Sequence, residues 1–187
     1  MATIGLVGGS FNPAHYGHIE ISKQAKTQLK LDEVWWIVTP QNPIKDRKSL
    51  APAKERLEFA INLDKPDFIK VKLLEKNKES NYSIDLINKL LEENQNHKFI
   101  WLMGADNLAI FHSWRNWQQI VESVNIAIFP RNNDLAKQNI LQENYSDYLL
   151  ESDKASLLRE KSPPYWCIIP MEKINISATE IRNGHNT

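Results

Sequence analysis

His15 and His18 stand three residues apart with Gly17 between them. They close the run Gly-Gly-Ser-Phe-Asn-Pro-Ala-His-Tyr-Gly-His at residues 8–18. On the first turn of a helix, residues three apart share a face, so both imidazoles can reach toward one anion. The N–H groups that open a helix have no partner within it, and the helix dipole puts positive charge at the same end. Phosphate is the natural occupant of such a site. Pro13 fixes how the chain enters the turn, and Gly8-Gly9 lets a ligand come close to the preceding strand end. Three other readings compete. Two histidines at this spacing can ligate a metal, but a metal site wants further His, Cys or carboxylate ligands. Asp106 could supply one, and no tight cluster accompanies it. A lone His-x-x-His can be a surface accident, which the preceding Gly-Gly-x-Phe-x-Pro argues against. A dinucleotide-binding turn would need Gly-x-Gly-x-x-Gly, which is absent.

The turn needs a strand before it and a helix after it, and both are legible. Residues 3–7 form a short apolar run into Gly8-Gly9, a buried strand ending in a turn. Residues 18–29 place Ile19, Ile21, Ala25 and Leu29 near one helical face. Residues 33–39 read as a second buried strand, stopped by Pro40. Residues 40–51 form a loop carrying Lys45, and loops that long are often functional. Pro52 suits the first turn of a helix that carries Leu57, Phe59, Ala60 and Ile61. Residues 68–74 are predicted as a strand, 83–91 as a helix, 99–103 as a strand ending at Gly104, 114–121 as a helix and 124–129 as a strand. This alternation predicts an α/β fold, a doubly wound parallel sheet of Rossmann-like type. Residues 133–161 are polar and predicted helical, a surface excursion of unassigned pairing. Residues 166–169 read as a last strand, and 176–183 as a short helix begun by Ser177.

The six glycines are Gly5, Gly8, Gly9, Gly17, Gly104 and Gly184. Most sit where an open parallel sheet binds ligands, beyond the carboxyl ends of its strands. Gly104 also reads as an ordinary turn residue. The 187 residues suit one compact domain, residues 1–187. With 23 basic and 23 acidic residues the formal charge is zero, so nothing global favours nucleic acid or an anionic membrane. Cys167 is the single cysteine and can form no intrachain disulfide, which suits a reducing compartment. No signal peptide or membrane-spanning run is visible, so a cytoplasmic location is expected. Oligomeric state is left open, a homo-oligomer included.

Residues 9–18 resemble the His-x-Gly-His signature of the nucleotidyltransferase superfamily. Ile176-Ser177-Ala178-Thr179-Glu180-Ile181-Arg182 resembles its second signature, Ile-Ser-Ser-Thr-x-Ile-Arg, with Ala178 in place of the second serine. Asn12 stands where many relatives carry aspartate. Three middle segments resemble bacterial nicotinate-nucleotide adenylyltransferases: residues 39–45, Thr-Pro-Gln-Asn-Pro-Ile-Lys; residues 80–85, Ser-Asn-Tyr-Ser-Ile-Asp; and Met103-Gly104-Ala105-Asp106-Asn107 followed by Trp114. The resemblance spans nearly the whole chain except residues 133–161. It implies that ATP and nicotinate mononucleotide are joined to give deamido-NAD and pyrophosphate.

The resemblance also implies roles. His15, His18, Lys45 and Arg182 would be catalytic. Gly8, Gly9, Ser10, Phe11, His15, His18, Gly104, Asp106, Ile176, Ser177, Thr179 and Arg182 would hold ATP. Ser10, Lys45, Tyr82, Ser83, Trp114 and Arg131 would hold the mononucleotide, with Trp114 packing on the pyridine ring and the helix start at Tyr82 and Ser83 meeting its carboxylate. Plain N-capping by Ser80 or Ser83, a core role for Trp114, and helix capping by Asp106 are the structural alternatives. Mg²⁺ would travel on the ATP phosphates. The nearest rivals are a phosphopantetheine or nicotinamide mononucleotide adenylyltransferase, and then a non-catalytic nucleotide-binding module.

Overall fold

A computed structural model describes residues 1–39, 50–73, 82–130 and 139–171. Seven strands alternate with helices in the order β1 (Ala2–Gly9), α1 (Tyr16–Gln28), β2 (Glu33–Val38), α2 (Ala53–Asn62), β3 (Ile69–Leu73), α3 (Ser83–Glu93), β4 (His97–Gly104), α4 (Ala105–Ala109), α5 (Trp117–Ser123), β5 (Asn125–Phe129), α6 (Ile140–Asn144), β6 (Leu149–Leu150) and β7 (Trp166–Ile168). They form one sheet in the order β3-β2-β1-β4-β5-β7-β6, and every pairing is parallel. The α/β expectation therefore holds.

Successive strand residues point to opposite faces, and both faces are covered. Val34, Trp36 and Val38 pack with Ile19, Ile21, Ala25 and Leu29 of the α1 side. Trp35 and Ile37 pack with Ile84, Ile87 and Leu90 of α3 and with Ile120 and Val121 of α5. Trp35 and Trp36 are thus both core residues on different faces, and Trp101 is a third.

Several boundaries differ from the sequence expectation, each for a local reason. Helix α1 begins at Tyr16, two residues early, because His15 itself serves as its N-cap. Helix α5 begins at Trp117 rather than at residue 114. Asn116 takes a left-handed backbone (φ 51), which asparagine tolerates and a helix interior does not. On α2, Phe59 and Ile61 are about half exposed, while Arg56 is buried. The described part of the polar excursion holds α6, two 3₁₀ turns and β6, which pairs with β7 at the sheet edge. Leu141, Ala155 and Leu158 from it are buried, so its short helices are amphipathic covers for the sheet. Among the described residues no helix is long and apolar enough to cross a membrane.

The strand order reverses between β1 and β4, which is where open α/β sheets leave a crevice. Their pairing runs only to Leu6 opposite Trp101. Beyond that point β1 stays paired with β2 through Gly9, and β4 stays paired with β5 through Gly104. The two strand ends part for their final residues, and each leads directly into a candidate site segment.

Candidate active site

The turn from Gly9 to His18 is built by reciprocal hydrogen bonds at the start of α1. The His15 Nδ1 accepts the Gly17 N–H at 3.1 Å, and the His18 Nδ1 accepts the His15 N–H at 3.2 Å. This is a capping box with imidazoles in place of the usual hydroxyl and carboxylate. An Nδ1 that accepts a backbone N–H carries no proton, so each neutral ring carries its proton on Nε2. The ring centroids lie 3.9 Å apart, so the two histidines act as one unit. His15 is buried.

Beneath them, Phe11 stacks on Trp36 at 5.3 Å and meets the His18 ring at 4.8 Å. The Trp36 indole donates to the Ser22 hydroxyl, which donates to the His18 carbonyl. The first turn of α1 is thereby anchored to the middle of β2. Phe11 has φ 45, a left-handed backbone that costs a non-glycine residue about 1–3 kcal/mol and persists only where its surroundings enforce it.

Gly8 also meets a packing constraint. A Cβ there would lie 2.4 Å from the Trp101 ring, so its bareness makes room for a core tryptophan. At Gly9 a Cβ would meet the Phe11 ring at 3.5 Å, ordinary contact. The left-handed position in the turn is Phe11, two residues further on. Asn12 accepts the Ala51 N–H through Oδ1 at 3.3 Å. A carboxylate oxygen would accept it equally, so the departure from aspartate keeps this bond.

Across the crevice, Gly104 caps α4 with extended backbone and no side-chain hydrogen bond. The Asp106 carboxylate is exposed and takes no part in capping; an added Cβ at Gly104 would lie 2.4 Å from its Oδ1. The N-cap of α3 is Tyr82, again without a side-chain cap bond, and Ser83 is the first helical residue. Capping by Ser83 therefore does not occur, and Ser80 lies outside the described residues. Trp114 sits between a 3₁₀ turn (Phe111–Ser113) and α5, half buried, edge-on to Trp101 at 6.3 Å and to Phe111 at 5.4 Å. The guanidinium of its neighbour Arg115 lies 4.8 Å over the Tyr82 ring, so the α3 start and the Trp114 segment are brought together. Lys45, Arg131, Ile176, Ser177, Thr179 and Arg182 lie outside the described residues.

Sequence reasoning missed Arg56 and Arg115. Arg56 lies in Ala-Lys-Glu-Arg, which reads as a solvated helix face, and only its i, i+4 relation to buried Ala60 hinted otherwise. Arg115 is adjacent to Trp114 and carried no pattern of its own. Cys167 is buried beside β5, and burial pushes its thiol up to about 12, so it stays protonated and unreactive at neutral pH.

Paired imidazoles at a helix start, set in the crevice of an all-parallel sheet, are the equipment of a nucleotidyl-transferring enzyme. The chain belongs to the cytidylyltransferase-like family, whose model matches residues 6–184. A probable nicotinate-nucleotide adenylyltransferase of Brucella abortus is 38% identical over 182 residues, covering 96% of this chain and 94% of that protein. Its counterpart from Agrobacterium fabrum is 36% identical over 184 residues, covering 97% and 98%. The fold is also that of Plasmodium falciparum nicotinic acid mononucleotide adenylyltransferase solved with NaAD (TM-score 0.71, 20% identity, 98% of this chain and 83% of that one).

Proposed function

We propose that this chain is a nicotinate-nucleotide adenylyltransferase, joining ATP and nicotinate mononucleotide to give nicotinate adenine dinucleotide and pyrophosphate. The observation that carries the chemistry is the His15–His18 capping box, which commits both Nδ1 atoms to the backbone and puts an N–H on each Nε2. The full-length likeness to the Brucella and Agrobacterium proteins carries the choice of second substrate.

The nucleophile is the phosphate of the mononucleotide. It is already an anion and needs no side-chain base. One of its oxygens forms a bond to the α-phosphorus of ATP as the bond from that phosphorus to the β-phosphate bridging oxygen breaks, and pyrophosphate leaves with the electron pair. Catalysis then consists of in-line positioning and stabilisation of growing negative charge. In this reading the two Nε2–H groups donate to the α-phosphate. Ser177, Thr179 and Arg182 hold the β- and γ-phosphates, Arg182 through a bidentate fork. Lys45 neutralises bridging charge, and Asp106 accepts from ribose hydroxyls. Trp114 offers a ring face to the pyridine, and the N–H groups at the start of α3, by Tyr82 and Ser83, meet its carboxylate.

Among the described residues no group of three or more His, Cys, Asp or Glu side chains gathers to hold a metal. In this reading Mg²⁺ would be carried by the ATP phosphates and would supply charge neutralisation there, with His15 and His18 donating to phosphate oxygen. A cytoplasmic setting goes with such substrates.

A substrate panel with pyrophosphate detection tests the reading. Release is expected with ATP plus nicotinate mononucleotide, at higher kcat/KM than with nicotinamide mononucleotide. Turnover with phosphopantetheine and none with nicotinate mononucleotide would overturn it, and equal kcat/KM for the two pyridine nucleotides would remove the carboxylate contact.

A further inference from the structure

Arginine is among the costliest side chains to bury, and Arg56 on α2 is only 2% exposed. Burial pulls its guanidinium pKa down from the usual range. Among the described residues, three backbone carbonyls meet the buried charge. Nη1 donates to the Ser10 carbonyl and to the Thr39 carbonyl, the latter at 3.0 Å, and Nε donates to the Ala51 carbonyl at 2.8 Å. These carbonyls come from the turn after β1, the end of β2 and the start of α2.

The same three segments are cross-tied by other bonds. The Thr39 N–H and hydroxyl both donate to the Gly9 carbonyl, at 3.0 and 3.1 Å. The Ala51 N–H donates to Asn12, so Ala51 is gripped from both sides, by Asn12 at its nitrogen and Arg56 at its oxygen. Gly9, Ser10 and Asn12 are therefore each held, and left-handed Phe11 sits between the held residues. Phe11 in turn packs against the His18 ring, tilted to it at 4.8 Å between centroids. Among the described residues the guanidinium is the one group seen to bond all three segments, and its planar fork is what allows it.

We infer that Arg56 is a positioning residue for the adenylyl transfer: its buried guanidinium enforces the strained Ser10–Asn12 turn and so sets where the His15–His18 pair points. It acts through backbone carbonyls and touches no reacting atom. A lysine could satisfy these carbonyls only from a single nitrogen, so Arg56→Lys should fold yet leave the turn under-held. The inference rests on the adenylyltransferase reading for its kinetic arm only.

Two variants and two readouts test it. In Arg56→Lys, kcat should fall about 30-fold with both KM values within about threefold, because in-line geometry is lost before ground-state binding. In Arg56→Gly, guanidinium added below denaturing concentration should restore at least a tenth of wild-type kcat, roughly the limit set by imperfect re-seating. Independently of turnover, the imidazole ¹⁵N resonances show the tautomers. In the wild type, His15 and His18 should show Nε2–H with Nδ1 accepting. In folded Arg56→Lys those two should shift or split, while His97 and His112 stay in place. Unchanged His15 and His18 resonances in the folded lysine variant would overturn the inference. So would a kcat within twofold of wild type, or an Arg56→Gly protein that is folded but gains nothing from guanidinium. Absence of pyrophosphate release by the wild type would instead sink the substrate reading, and the ¹⁵N result would still decide Arg56.

Discussion

The two lips of the crevice are made differently. On the β1 side much of the turn is tied down: His15, Phe11 and Arg56 are buried, Gly9 and Ser10 have held carbonyls, and two imidazoles cap a 13-residue helix through their Nδ1 atoms. On the β4 side, Asp106 is exposed, Tyr82 is 37% exposed, Trp114 is half buried, and the N-cap residues of α3 and α4, Tyr82 and Gly104, make no side-chain cap bond. Charge stabilisation at a reacting phosphorus depends on donors fixed before the substrate arrives. Recognition of a flat ring and a sugar tolerates surfaces that settle around the ligand. The fixed lip thus suits the step common to all nucleotidyl transfer, and the looser lip, with Asp106 proposed for a ribose and Tyr82 and Trp114 for the pyridine, suits recognition of the groups around it.

The comparison breaks most visibly at His15, where capping and the proposed catalytic role share one ring. Asparagine is among the best N-cap residues and can accept the Gly17 N–H, but it places no N–H where Nε2 lies. His15→Asn should lower kcat on the order of 10²–10³-fold, the usual cost of losing one aimed donor. Its melting temperature should stay within a few degrees of wild type. His15→Ala should lose the same activity and about 1 kcal/mol of stability besides. If His15→Asn keeps full turnover, the fixed lip is scaffolding and the chemistry lies elsewhere.

Gly8 probes the fixed lip by packing alone. A methyl there would have to displace the Trp101 ring, since the backbone on both sides of it is locked in the sheet. Gly8→Ala should destabilise the fold by about 1–3 kcal/mol, read from denaturant midpoints. The loss should be relieved by a smaller residue in place of Trp101. A stable Gly8→Ala with lowered affinity for ATP would instead favour the reading in which Gly8 is bare for the ligand's sake.

What the sequence made legible follows the same division. The His15–His18 spacing, the apolar runs of β1, β2 and β4, and the burial of Trp35, Trp36 and Trp101 are local patterns, and periodicity reports them. Arg56 was invisible because its partners, Ser10 and Thr39, lie 46 and 17 residues away and offer only carbonyls, which every residue has. Tertiary contact also overrode local pattern on α2, where Phe59 and Ile61 are half exposed while an arginine is inside. The start of α5 was misplaced because one left-handed asparagine, Asn116, decided it. On the looser lip, Tyr82, Asp106 and Trp114 carried no spacing signal of their own, and likeness to a family supplied their meaning.

Trp114 sharpens the comparison from the other side, with the smallest effect. Its ring makes T-shaped contacts with Trp101 and Phe111 and is only half buried. Stacking on an aromatic ring is worth about 0.5–1.5 kcal/mol beyond area burial. Trp114→Ala should therefore raise KM for nicotinate mononucleotide about tenfold and leave KM for ATP within twofold. Trp114→Phe, which keeps a flat ring of smaller area, should recover most of that loss. Because the fixed lip is untouched, kcat at saturating mononucleotide should change little in either variant. Should kcat fall as far as in His15→Asn while KM stays put, the second lip is as preorganised as the first, and the division drawn between them is wrong.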